Sequence, residues 1–261
     1  MEKENAINFL LFSYFRITLE SDTEDIINAA INRAYQDASR HVLSIPDDGE
    51  NYRLKKSARE EIRNFINKAL KSPDQYDALH REVCSNLITH YESFKSDDRK
   101  FTYGIAQKWV NMTMKYLCVV CSVLENDWDD HSFCQAYKKE LKVLEPNLHV
   151  PVDSYILESA ASKKKDYRSG FCIKIPQKTR KPDESHKAAV GLYSDNALPW
   201  SKWEPNDEED YYDHFQKELK NKIKPENLLP LDWEGPAWIK VAKHRTEKEQ
   251  ERADKKWDSP K

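Results

Sequence analysis

Glycine is scarce: the 261 residues hold five. So few cannot supply the tight turns of a many-stranded barrel or sandwich. Their placing also excludes glycine-rich phosphate loops. No GxGxxG or GxxxxGK[ST] pattern occurs, which removes P-loop hydrolysis and ordinary dinucleotide binding. No HExxH, EF-hand spacing or Ser/His/Asp nucleophile motif is present either. No run reaches the roughly 18–20 apolar residues needed to span a bilayer, so no membrane partner is expected. Positive charge is not in surplus, since the net charge is −3; what phosphates feel, however, is a local face and not the net value. The five cysteines are an odd number without a secretory signal, the usage expected in a reducing cytoplasm. The apolar run over residues 6–15 is preceded by Glu2 and Glu4 and followed by Arg16, with no small-residue cleavage site. It reads as a core helix.

What the chain does have is helical periodicity. Hydrophobic residues make up 39%, and the mean hydropathy is −0.88. That combination describes a heavily charged surface over an adequate core. A first helix is expected over residues 8–19, given bulk by Phe9, Leu10, Phe12 and Phe15. Ser21 and Glu24 form a capping box for a second, with Ile26, Ile27, Ala30, Ile31, Ala34 and Ala38 at spacings of three and four. A turn at residues 45–49 ends it. A third helix is expected at 57–70 and a fourth from Pro73 to about residue 94. After a polar break at 95–100, Gly104 makes a turn into a strong helix that continues to about residue 124. Residues 126–130 form an acidic loop, 132–144 a helix, and Pro146 and Pro151 bracket an extended link. Asp153 then opens a helix reaching about residue 160.

From Ser162 the composition turns basic. Lys163, Lys164, Lys165, Arg168, Lys174, Lys178, Arg180 and Lys181 face only Asp166 as an opposing charge. Residues 171–176 alternate like a short strand, possible half of a hairpin. A helix is expected again at 207–223, its acidic start at 207–210 suiting the first turn. A tryptophan-rich segment at 228–239 packs back over the core. Residues 243–261 are a charged tail, either a solvated helix or disordered. The organisation expected is one helical domain over residues 1–242, with two lobes and a cleft between them as the variant.

Two motifs carry chemistry: Gly104-Ile105-Ala106-Gln107-Lys108 leading into an apolar helix, and Val150-Pro151-Val152-Asp153. Together they resemble the helix-hairpin-helix DNA glycosylases, in particular the 8-oxoguanine DNA glycosylase branch and its bacterial relatives. The resemblance implies a mostly α fold with a helix-hairpin-helix core and a small β element after the catalytic region. It implies Lys108 as nucleophile and Asp153 as catalytic aspartate. It further implies damaged duplex DNA as partner, contact with it at Gly104 and Gln107, and no cofactor. A lysine amine attacks in its neutral form, which desolvation favours. Attack on the anomeric carbon displaces an oxidised purine such as 8-oxoguanine and leaves a Schiff base, from which strand cleavage by elimination could follow. An aspartate stabilises the positive charge that develops on the sugar. The nucleotide must first be flipped into a pocket lined by aromatics, for which Trp109 and Tyr155 are candidates. The chain departs from the family at Ala106, where a second glycine is usual, and in the 45 positions separating Lys108 from Asp153, a longer interval than usual.

The same residues admit a plainer reading. Lys108, Asn111 and Lys115 would form a solvated stripe on a core helix, and Asp153 a helix cap after Pro151. Lys163, Lys164, Lys165 and Arg168 are candidate phosphate contacts, or else an exposed loop. Cys118, Cys121, His131 and Cys134 have a spacing compatible with zinc, although a CxxC inside an apolar helix is more often two small buried hydrophobes, and no metal is expected. Two other functions stay open: a non-catalytic nucleic-acid-binding protein, and a helical protein-interaction or defence-associated module.

Overall fold

The computed structural model of the chain describes residues 2–39, 49–92, 100–178, 190–204 and 211–257. The expected turn at 45–48, most of the polar break at 95–100, the acidic run at 207–210, and Arg180 and Lys181 lie outside the described residues. The protein is mostly α with a small two-stranded sheet. It divides into two compact units, Met1–Pro151 and Val152–Lys261.

The first unit is built around α5 (Tyr103–Leu124). This helix is apolar on nearly every side, and 17 of its 22 residues are buried. A helix of that kind is stable only when surrounded. The second helix, α2 (Thr23–Ser39), packs along it through Ile27, Ala30, Ile31 and Ala34. The alanines let the backbones approach closely enough for Trp109 Nε1 to donate to Ile31 O at 3.0 Å. An antiparallel pair, α3 (Gly49–Lys71) and α4 (Tyr76–His90), joins through a 3-10 turn at Pro73–Gln75. Ile62, Phe65 and Ile66 of α3 and Val83 and Leu87 of α4 are buried. Each such side chain stabilises the fold by roughly 1.5–3 kcal/mol. The last helix of the unit is α6 (Ser132–Leu144).

Caps show where local expectations shift. Asp22, one position after the expected Ser21, caps α2: its Oδ1 accepts the Asp25 N–H at 2.8 Å. Ser21 instead braces the preceding turn by accepting the Thr18 N–H. Gly104 forms no turn ahead of α5, because Thr102 starts that helix by accepting the Ile105 N–H, which leaves Gly104 buried inside the first turn. Phe101 fixes the entry by stacking on Tyr91 at 4.4 Å and 11°.

Helix α1 (Lys3–Phe15) departs from the expected core helix. Leu11 and Phe15 are buried, whereas Phe9, Leu10 and Phe12 are more than half exposed.

The second unit begins with α7 (Ser154–Ala160), on which α9 (Pro230–Trp257) packs. The helix α8 (Tyr211–Ile223) packs on α9 and on β1 through Phe215, Leu219 and Ile223. Strand β1 (Ile175–Pro176) pairs antiparallel with β2 (Val190–Gly191) in the register Ile175 with Gly191 and Pro176 with Val190, which gives the alternating segment its hairpin partner. The tryptophan-rich segment forms the first turns of α9, with Trp233 buried and Pro236 interrupting the ladder of backbone bonds. The charged residues after Ala242 continue α9 to Trp257; His244 and Arg245 are half-buried and residues 246–254 are exposed. Among the described residues, no helix is long and apolar enough to cross a membrane.

Candidate functional site

Lys108 belongs to the first unit and is 8% exposed. Burial to that degree is rare for a lysine. The plainer stripe of Lys108, Asn111 and Lys115 does not form, because Asn111 is fully buried. Asn111 Nδ2 instead donates to Gln107 Oε1 at 3.0 Å and to Val150 O at 3.3 Å. Gln107 is itself 1% exposed, and its amide donates to Gly104 O at 2.7 Å. Gly104 and Gln107 therefore sit inside the unit as a polar bracket along α5, not on a surface open to phosphates. Trp109 is 1% exposed, its ring 4.7 Å from Tyr35, which makes it core and not the wall of a base pocket.

Asp153 belongs to the second unit and occupies the cap position of α7. Its Oδ1 accepts the Tyr155 and Ile156 N–H groups at 2.9 and 3.0 Å, and its Oδ2 accepts Trp238 Nε1 at 3.2 Å. Both carboxylate oxygens thus have fixed donors. Tyr155 faces Trp238 with ring centroids 4.8 Å apart, and the Arg245 guanidinium lies 4.2 Å from its ring centre.

A buried ion network underlies this corner. Glu158 on α7 accepts from Arg245 at 2.8 Å and from Arg168 at 2.7 Å. Arg245 also donates to Ser154 Oγ and Ser154 O. Burial opposes ionisation of Glu158, but the two arginines outweigh it and hold the carboxyl below its ordinary range. Arg168 is consequently engaged in structure, while Lys163, Lys164 and Lys165, with Lys174 and Lys178 further along the basic stretch, are exposed.

The loop that carries those lysines is tightly built. Arg168 N donates to Lys165 O at 3.0 Å, and Gly170 adopts φ +72° with Lys164 so close that a Cβ would lie 2.4 Å from the Lys164 Cβ. Only glycine fits there. Against this loop α9 presents Lys240, Lys243, His244 and Lys248 along one face. Tyr167 stacks on His244 with centroids 3.6 Å apart. A cleft of about 670 Å³ is lined by Lys165, Lys240, Lys243 and Lys248 against Asp166 and Glu247. A neighbouring cleft of about 750 Å³ shares Lys165 and Lys240 and adds Phe171 and Trp233, whose rings stack at 5.7 Å. Sequence reasoning found the lysines of the loop but missed Tyr167, Lys240, Lys243 and His244. The signal was available in Lys240, Lys243 and His244 at helical spacing, but it straddles the expected boundary at residue 242 between the helical domain and the charged tail.

The cysteine set does not converge. Burial pushes the Cys121 thiol up to about 12 and the Cys118 thiol higher still, keeping both protonated. His131 Nδ1 accepts the Phe133 N–H as the cap of α6. Among the described residues, no group of three or more His, Cys, Asp or Glu side chains is placed to hold a metal ion. A scan against family models, a search of curated proteins and a search of solved structures each return no match for this chain, so the geometry of its own residues is what its function must be read from.

Proposed function

We propose that this chain binds DNA through the face of its second unit formed by residues 163–167 and the middle of α9. The observation that carries the reading is the cleft with four lysines against two carboxylates, floored by the stacked Tyr167–His244 pair. Lysine ammonium groups neutralise backbone phosphates and release counterions, while aromatic rings at a groove edge give bases or sugars a surface to lie against. Because Gly170 and the Arg168–Glu158 bond fix the loop, little ordering remains to be done on binding. The test is fluorescence anisotropy with a labelled duplex at rising salt. Binding that weakens steadily as salt increases is expected; no binding at low salt would remove the reading.

Base excision is a second reading, favoured by the burial of Lys108 and by the Asn111–Val150 bond, which brings the two resemblance motifs into contact within the first unit. In it, Lys108 Nζ attacks C1′ of an oxidised purine nucleotide such as 8-oxoguanine. The C1′–N9 bond breaks, and the base leaves with the bonding pair and takes up the proton that the attacking amine loses. The nitrogen lone pair then opens the C1′–O4′ bond, O4′ takes a proton from water, and the ring-opened sugar is held to Lys108 as an iminium at C1′. The Asp153 carboxylate, as the resemblance implies, stabilises the positive charge on the sugar. Borohydride reduces that iminium to a stable amine. Trapping of wild type on an 8-oxoguanine duplex, lost in Lys108→Gln, is the expected result. Absence of a wild-type adduct across several lesions leaves DNA binding without excision.

A further inference from the structure

The first unit holds a cleft of about 700 Å³ formed by the end of α1, one face of α2 and the start of α3, which neither reading above uses. Its walls carry Arg16, Arg33, Lys55 and Arg59 against a single lining carboxylate, Asp25. We infer that this cleft binds a phosphate-bearing ligand of nucleotide size. The volume lies within the range of small-molecule sites and far exceeds what one inorganic anion fills. On the lining four cations face one carboxylate, and Asp37, off the lining, meets Arg33 at 3.3 Å. Guanidinium forks suit phosphate oxygens because two parallel N–H bonds fit one group.

Arg33 supplies the more specific argument. Its guanidinium lies 4.1 Å from the Tyr14 ring centre, and Nη1 reaches Gln36 Oε1 at 3.4 Å. The ring is held in turn by Tyr14 OH and Tyr116 OH at 2.9 Å, with Tyr116 OH donating to Asp37. Within this braced arrangement Arg33 Nε is buried and meets no hydrogen-bond acceptor among the described residues. A buried donor without an acceptor is costly, and a ligand oxygen removes the cost. Lys55 and Arg59, one helical turn apart on α3, stand on the opposite wall. Exposed Asn32 and Gln36 add amide groups that can meet the polar edge of a base or sugar.

The test titrates the full-length protein with adenosine 5′-monophosphate, pyrophosphate and adenosine by calorimetry, alongside Lys55→Gln/Arg59→Gln. The two phosphorylated probes should bind and adenosine should not. The double variant should weaken adenosine 5′-monophosphate by about tenfold or more while its unliganded melting temperature stays close to wild type. Lys165→Ala/Lys240→Ala/Lys243→Ala, altered only in the second unit, should bind the mononucleotide normally, which separates this site from the proposed DNA face. A pair of oligonucleotides with and without a 5′-phosphate identifies the source. Preference for the phosphorylated strand, abolished by the double variant and accompanied by no mononucleotide binding, assigns the site to a nucleic-acid end. Adenosine binding as well as its phosphate, equal affinity in the double variant, or no binding of any phosphorylated probe overturns the inference.

Discussion

Glu158 holds together the corner of the second unit. Its carboxylate sits 10% exposed between Arg168 and Arg245, which are 20% and 29% exposed. In Glu158→Gln the two cations lose their counter-charge in a partly desolvated place. The arginines keep some solvent, so a loss of about 2 kcal/mol is expected, less than the ~3–5 kcal/mol of a fully buried pair. Urea denaturation at neutral pH measures it. The pH dependence follows from the depressed carboxyl. The stabilisation is fully present above the ordinary carboxylate value and is lost as pH falls through the depressed one. Wild type should therefore lose stability on acidification below about pH 4.3, and Glu158→Gln should show a shallower acid limb. Equal limbs in the two proteins would count against the network. At Gly170 the expected cost is steric: a Cβ would meet Lys164 at a φ that alanine rarely adopts. Gly170→Ala should cost about 2 kcal/mol or more and weaken DNA binding with it, read by denaturation and anisotropy on the same sample. None of these residue roles was visible in the sequence, because Arg245 reaches Glu158 across 87 positions and no local pattern announces such a pair.

At the scale of elements, α7 separates capping from chemistry. Asp153→Ala removes the acceptor for two backbone N–H groups and should cost about 1 kcal/mol. Asp153→Asn keeps a side-chain oxygen in the cap position and should stay within a few tenths of wild type. If excision occurs, the asparagine variant should lose trapping while remaining folded, whereas a purely capping Asp153 predicts trapping equal to wild type. Thermal melts paired with borohydride trapping distinguish the two. Element boundaries were most legible where a polar cap or a proline marked them. The helix at 132–144 has the bounds expected, and Asp153 caps the helix at 154–160 as expected; the cap of the former, His131, was not anticipated. They were least legible where two acceptors compete. Ser21 and Asp22 both suit a cap, and geometry chose Asp22; Thr102 claimed the start of α5 that Gly104 suggested. In α1, Leu11 and Phe15 share the buried face at i and i+4, while Phe9, Leu10 and Phe12 lie outside that face, so composition alone overstated its burial.

For the whole molecule, the sequence conveyed a mostly α protein with a small hairpin, because few glycines and strong 3.6-residue periodicity leave little else. The division at Pro151 was only partly legible: Pro146 and Pro151 bracket a short link there, but no polar or glycine-rich run sets it apart, and Val150 and Val152 on either side are equally buried. The basic face was half legible. Its loop lysines are contiguous in sequence, while Lys240, Lys243 and Lys248 join them only through the packing of α9 on α7. That face is the account's central claim, and the salt dependence of DNA affinity tests it most directly. Wild type should show a linear fall of log affinity with log salt. Lys165→Ala/Lys240→Ala/Lys243→Ala should lower the slope magnitude by about two to three, close to one counterion per lost phosphate contact. Lys217→Ala, an exposed lysine on α8 outside the clefts, should leave the slope unchanged. A triple variant with the wild-type slope and affinity would contradict the claim and move the DNA contact to another surface.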